Sequence, residues 1–189
     1  MNGKIPANLS RKARKGIGLA AIAMLLAGCR QNYQLTNQTF VMELGTDVYA
    51  NPALYIENPD SVDLSVLSVE PVSSGVTISD NRFVTVSLDY LGVGSYDFVL
   101  KDGDAKTPFV IKVKDTRAPV VHNQVSSIEA QWGEMPDWAS IFGATDLSGV
   151  YYDTPTDFIT SPGEHDITVK IRDRFGNATL QPVHVKVDG

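Results

Sequence analysis

The chain has 189 residues, with 16 Lys and Arg against 22 Asp and Glu, a net charge of −6 and one cysteine. A single thiol excludes an internal disulfide framework, and an acidic chain is unsuited to nucleic acid or to an anionic lipid surface. The charge is unevenly placed: residues 1–28 carry five basic residues and no acidic one, so the remainder holds 11 basic against 22 acidic residues, a net −11.

The first predicted element is a leader. Lys4, Arg11, Lys12, Arg14 and Lys15 precede the apolar run "GIGLAAIAMLLA", Gly16 to Ala27. A basic flank, about a dozen apolar residues and a small-residue boundary form the layout of a secretory signal. The run falls short of the ~20 residues a spanning helix needs. The boundary reads "LAGC", Leu26–Ala27–Gly28–Cys29, and it resembles the lipobox of bacterial lipoproteins. That resemblance implies a diacylglyceryl group on the Cys29 sulfur, with palmitate-type chains. It also implies cleavage just before Cys29 and acylation of the new amino group. Small residues at 27 and 28 let an extended chain enter a peptidase, and the thiolate is the nucleophile that takes the lipid. Each buried methylene contributes about 0.8 kcal/mol and one chain alone holds only marginally. Arg30 stands where the inner-membrane retention signal of Gram-negative lipoproteins has an aspartate. The expectation is a signal peptide over 1–28, a lipidated tether over 29–34, and a chain held on the extracytoplasmic face of the cell membrane.

Beyond the leader no stretch of more than about eight residues reads as a helix. Short apolar alternations, broken by Gly, Pro, Asn and Asp, predict strands with frequent turns. One hairpin occurs twice. In "GSYDFVLKDGDAKTPFVIKVKD", Gly94 to Asp115, the series Tyr96, Phe98, Leu100 and Phe109, Ile111, Val113 alternate across the turn "DGDAKT". Setting Leu100 against Phe109 puts every large residue of the two series on one side and pairs Asp97 with Lys112 on the other. In "GEHDITVKIRDRFGNATLQPVHVKVDG", Gly163 to Gly189, the series Ile167, Val169, Ile171 is followed by the turn "DRFGN". Setting Ile171 against Ala178 puts Val169 against Leu180 on the inner face and requires a β-bulge at Gln181–Pro182 on an edge strand. Past it, Ile167 faces Val183, Glu164 faces Lys186 and His184 faces Asp166. Between the copies, "KDTRAPVV" carries Pro119, which stiffens the boundary. Two domains are expected, over 35–115 and 116–189.

The stretches "DTRAPVV", "AQWGEMPDWASIFGATDLSGV" and "GEHDITVKIRDRFGNATLQPVHVKV" resemble the bacterial immunoglobulin-like repeats of surface proteins. The shared pattern is a D-T-x-A-P-x-I opening, in which Val121 stands where the pattern has isoleucine, a glycine near the second strand, an A-x-D-x-S-G-V middle and a D-x-x-G-N hairpin. "ELGTDVY" and "DYLGVGSYDFVLKDGD" resemble the same broad class. The resemblance implies an all-β fold of two tandem immunoglobulin-like β-sandwich domains. It also implies use as a spacer, an adhesive module or a binding platform, and no catalytic residues.

Candidate chemistry is sparse. His122, His165 and His184 have no metal-ligand spacing around them, and no nucleophile motif is present. Asp102, Asp104, Asp146 and Asp173 fall in turns, where a carboxylate bonds its own backbone; calcium on such oxygens is the alternative. Neither a metal nor a cofactor is assigned. Trp138, Ile141 and Phe142 have helical spacing and predict one inward turn. Most of Trp132, Trp138, Phe142, Tyr151, Tyr152, Phe158 and Phe175 are expected in the core of so small a domain. Tyr151 and Tyr152 are adjacent, so on a strand one faces outward; this pair is the candidate contact site. The function expected is that of a lipid-anchored, non-catalytic structural, adhesive or protein-binding module. A carbohydrate- or ligand-binding lipoprotein is the alternative. The expected partners are the membrane, through Cys29, and a surface protein or glycan.

Overall fold

The structure, a computed structural model, describes residues 31–189; the expected signal peptide, Cys29 and Arg30 lie outside the described residues. The strands are β1 (Thr39–Glu43), β2 (Leu67–Pro71), β3 (Val76–Ser79), β4 (Arg82–Thr85), β5 (Gly94–Asp102), β6 (Ala105–Lys114), β7 (Ser127–Gln131), β8 (Tyr151–Asp153), β9 (Gly163–Arg172) and β10 (Ala178–Asp188). Among the described residues one α-helix, α1 (Trp138–Phe142), lies between β7 and β8. The fold is all-β, and it repeats. One sheet runs β1-β6-β5-β2 and the other β7-β10-β9-β8. In each, the opening strand lies parallel to the closing one, and a long antiparallel hairpin forms the centre. The two glycines that open the repeated hairpin hold matching places, Gly94 opposite Val113 and Gly163 opposite Val187.

Each sheet has its own core. On the first, the β3–β4 hairpin closes over the sheet, with Phe83 4.7 Å from Phe98 and Phe98 stacked 5.6 Å from Phe109. Phe98, Leu100 and Ile111 are fully buried, each contributing about 1.5–3 kcal/mol by leaving water. The β3–β4 turn is Asp80–Asn81, both at positive φ (49° and 60°), which suits the twist of a two-residue hairpin. On the second sheet the covering layer is α1 and the 3-10 turn Asp157–Thr160, which bring Trp138, Phe142 and Phe158 onto Val169 and Ile171. Asp137 caps α1 by accepting from the Ser140 amide (3.2 Å) and hydroxyl (2.7 Å). The helical spacing of Trp138, Ile141 and Phe142 thus does form one inward turn. Trp132 and Phe175 do not join the core; they are 61% and 50% exposed.

Both expected registers need correction. In the first hairpin Asp102 faces Ala105, so the turn is only Gly103–Asp104, with Gly103 at φ +56°. Glycine at the first central position allows this tight turn. Phe98 then faces Phe109, Leu100 faces Thr107, and Asp97 faces Val110 rather than Lys112. In the second hairpin Ala178 faces Arg172 and Pro182 faces Thr168 in unbroken register. No bulge forms, and Leu180 sits outside, 62% exposed, opposite Lys170. The pairs Ile167–Val183, Glu164–Lys186 and His184–Asp166 form as expected. Strand β10 is interior, not an edge. Pro182 is tolerated there because the amides on its side of the strand face β7, and β7 pairs only from His184 onward. The His184 amide donates to Ser126 O at 2.9 Å; Pro182, two residues earlier, lies beyond the end of β7 and owes no donor. Pro108 does the same in β6, two residues before the Val110 amide that donates to Gln38 O.

Candidate functional site

The residues between the sheets are tied down on both sides. Strand β1 ends at Glu43, whose carboxylate accepts from the Thr116 amide (2.8 Å) and hydroxyl (2.7 Å). Those two donors, amide first, hold the Glu43 carboxyl below its ordinary 4.5, with help from Arg117. The Leu44 amide donates to Lys114 O at 2.7 Å. Gly45, at φ +79°, lies so close to Leu147 that a Cβ would stand 2.5 Å from its Cδ1. A side chain there would displace the exposed Leu147 side chain and strain the left-handed backbone. A cleft of about 350 Å³ opens at this point, lined by Glu43, Asp115, Arg117, Asp146 and Leu147 among others.

Three aspartates converge beside the cleft. Asp115 follows β6, Asp146 precedes β8, and Asp173 begins the β9–β10 loop; one carboxylate oxygen from each lies within 4.8 Å of the others. They are the aspartates of "DTRAP", "ATDLSGV" and "DRFGN", separated by 31 and 27 positions in sequence. Asp173 is fully buried. Its Oδ1 accepts from the Asn177 amide (2.9 Å) and its Oδ2 from Asn177 Nδ2 (2.6 Å). Asn177 Nδ2 also donates to Asp115 O at 3.0 Å, which joins the linker to the hairpin. Asp146 Oδ1 accepts from the Ser148 amide and hydroxyl, both at 2.8 Å. Turn chemistry explains those bonds, as the sequence suggests for Asp146 and Asp173. Sequence reasoning passed over Asp115, because it reads as the last residue of a hairpin; the signal was that all three resemblance segments carry an aspartate.

Of the expected contact pair, Tyr151 is 45% exposed and Tyr152 packs on the second core, with its ring 6.5 Å from Phe142. One face of Tyr151 is occupied: the Arg172 guanidinium sits 4.9 Å from its centroid. Arg172 is aimed by Asp153, donating from Nε (2.7 Å) and Nη2 (3.3 Å). The same bonds hold the Asp153 carboxyl below its ordinary 3.8. Only the far face of the Tyr151 ring is left for a partner.

His184 Nδ1 lies 2.8 Å from Asp166 Oδ1, and Nε2 lies 3.9 Å from Glu164 Oε2. The hydrogen bond to Asp166 raises the ring above its ordinary 6.5, and desolvation opposes this in part. A raised folded value stabilises the protein below pH ~6.5 and fades as pH rises through it. The expected result in an NMR titration is a His184 midpoint above 6.5 that falls in Asp166→Asn. A midpoint at or below 6.5 contradicts the pairing.

No family model matches the chain, and no curated protein matches it. Solved structures do. Human mucin-like protocadherin EC1-2 is 13% identical over 84% of this chain and 98% of that one, with a TM-score of 0.29. Human protocadherin-24 EC1-2 is 13% identical over 82% and 96%, with a TM-score of 0.30. An endo-fucoidan hydrolase of glycoside hydrolase family 107 is 12% identical over 82%, with a TM-score of 0.29, and this chain spans only 28% of its length. Likeness at this level carries no argument, and the strands themselves define an all-β class built of two repeated units. Among the described residues no helix is long and apolar enough to cross a membrane.

Proposed function

We propose that this chain is an extracytoplasmic lipoprotein whose two β-units act as a non-catalytic structural, adhesive or protein-binding module, moored through Cys29. One observation carries the reading: the fold begins almost at the cysteine. The Gln31 amide donates to Asp102 Oδ2 at 2.8 Å, and Tyr33 Oη lies 3.1 Å from Thr107 Oγ1. Tyr33 and Leu35 pack against the first core. Residues 31–34, expected as part of the tether, are therefore docked on the first unit. A lipid on Cys29 would hold the β5–β6 turn at the bilayer. Strand β6, ten residues long and thus about 33 Å, then leads away to the junction and the second unit. With its net −11 charge, the mature chain stands off anionic lipid.

Protease treatment of spheroplasts tests the topology. Cleavage of the second unit in intact spheroplasts is the expected result; protection until lysis contradicts it. A second reading, glycan binding, has one favourable observation, the outward ring of Tyr151 held in place by Arg172. On a glycan array it predicts saturable binding that Tyr151→Ala abolishes. An array without signal removes this reading and leaves the first.

A further inference from the structure

The geometry points to a calcium site formed by Asp115, Asp146 and Asp173 at the junction. Three carboxylates gathered within 4.8 Å repel one another. The burial of Asp173 deepens the cost, because a buried charge needs a counter-charge or full hydrogen bonding. Asn177 supplies neutral donors to Asp173 and cancels no charge. Among the described residues, no Lys, Arg or His nitrogen lies within 4 Å of any of the three carboxylates, and Arg172 attracts Asp173 only from beyond that distance. Arg117 lines the same cleft, yet its charge acts on Glu43.

A second observation is independent of the charge count. The Oδ2 atom of Asp115 is buried and accepts no hydrogen bond. A buried acceptor left bare is costly, more so when charged, so an orphan beside two carboxylates calls for a cation. The donor set is oxygen alone, which selects a hard ion. Calcium binds oxygens at about 2.3–2.6 Å, so opposed ligands stand roughly 5 Å apart, which suits this cluster. Magnesium needs shorter, near-octahedral contacts. Asp115 and Asp146 line the open cleft, which gives the ion a route in.

The ion would join three pieces of chain: the linker, the loop before β8 and the β9–β10 loop. It would stiffen the junction that the Glu43–Thr116 bonds already hold. The proposal stands apart from the anchor, since a chain without lipid would keep the same three aspartates. The test is calorimetric titration of calcium chloride into the full chain in detergent after EDTA treatment, with melting curves alongside. The wild type should bind near one equivalent and melt higher with calcium than with EDTA. Among the described residues the Asp115 carboxylate accepts no hydrogen bond, so Asp115→Asn removes charge and leaves the bond from Asn177 to the Asp115 carbonyl in place. It should melt no lower than wild type in EDTA and lose roughly tenfold or more in calcium affinity. No heat and no melting shift in the wild type would overturn the site. So would equal calcium affinity in Asp115→Asn.

Discussion

Phe98→Ala is expected to destabilise the first unit by about 3–5 kcal/mol. Its ring is 0% exposed and lies between Phe83, at 4.7 Å, and Phe109, at 5.6 Å. Truncation removes the buried ring and leaves a cavity under the β3–β4 hairpin. The two aromatic contacts add about 0.5–1.5 kcal/mol each. A domain near this size has about 5–15 kcal/mol in total, and each kcal/mol moves the midpoint by roughly 4–8 °C. A fall of at least ~12 °C is therefore expected in calorimetry. The two buried clusters share no residue, so the second unit's transition should stay in place. An equal fall in both transitions would contradict two separate cores.

Cys29→Ser carries the other large effect, and it is all-or-none. A serine hydroxyl lacks the thiolate that accepts the lipid. The variant should incorporate no labelled palmitate. It should either keep the uncut leader or leave the membrane fraction as a soluble chain. The uncut apolar run can still hold a membrane, so the label, rather than fractionation alone, decides. Labelling equal to wild type would remove Cys29 from the account.

The alternations made the long hairpins legible, because a period of two with large residues on one face has one solution for each strand. Registers were less so. The series Tyr96, Phe98, Leu100 and Phe109, Ile111, Val113 can be paired two residues apart without moving any side chain to the wrong face, and only the tight Gly103–Asp104 turn chooses between them. Leu180 misled for a different reason. An apolar residue on the outer face is ordinary, yet treating it as core forced a bulge that the structure does not contain. Pro182 pointed to an edge; it sits in an interior strand whose neighbour stops short. The β3–β4 hairpin has its signal in the turn-forming pair Asp80–Asn81, between strands too short to show a clear alternation. The aspartate cluster is tertiary: its members are far apart in the chain, and only the meeting of linker and loops brings them together. That Asp115 would be bare could not be read from its neighbours.

Mass spectrometry of the amino-terminal peptide from the native protein probes the whole scheme at its root. The predicted species starts at Cys29 and is heavier by a thioether-linked diacylglycerol, with or without a further acyl chain on the amine. An unmodified peptide starting at Met1 would contradict the mooring, and with it the placement of both β-units outside the cell.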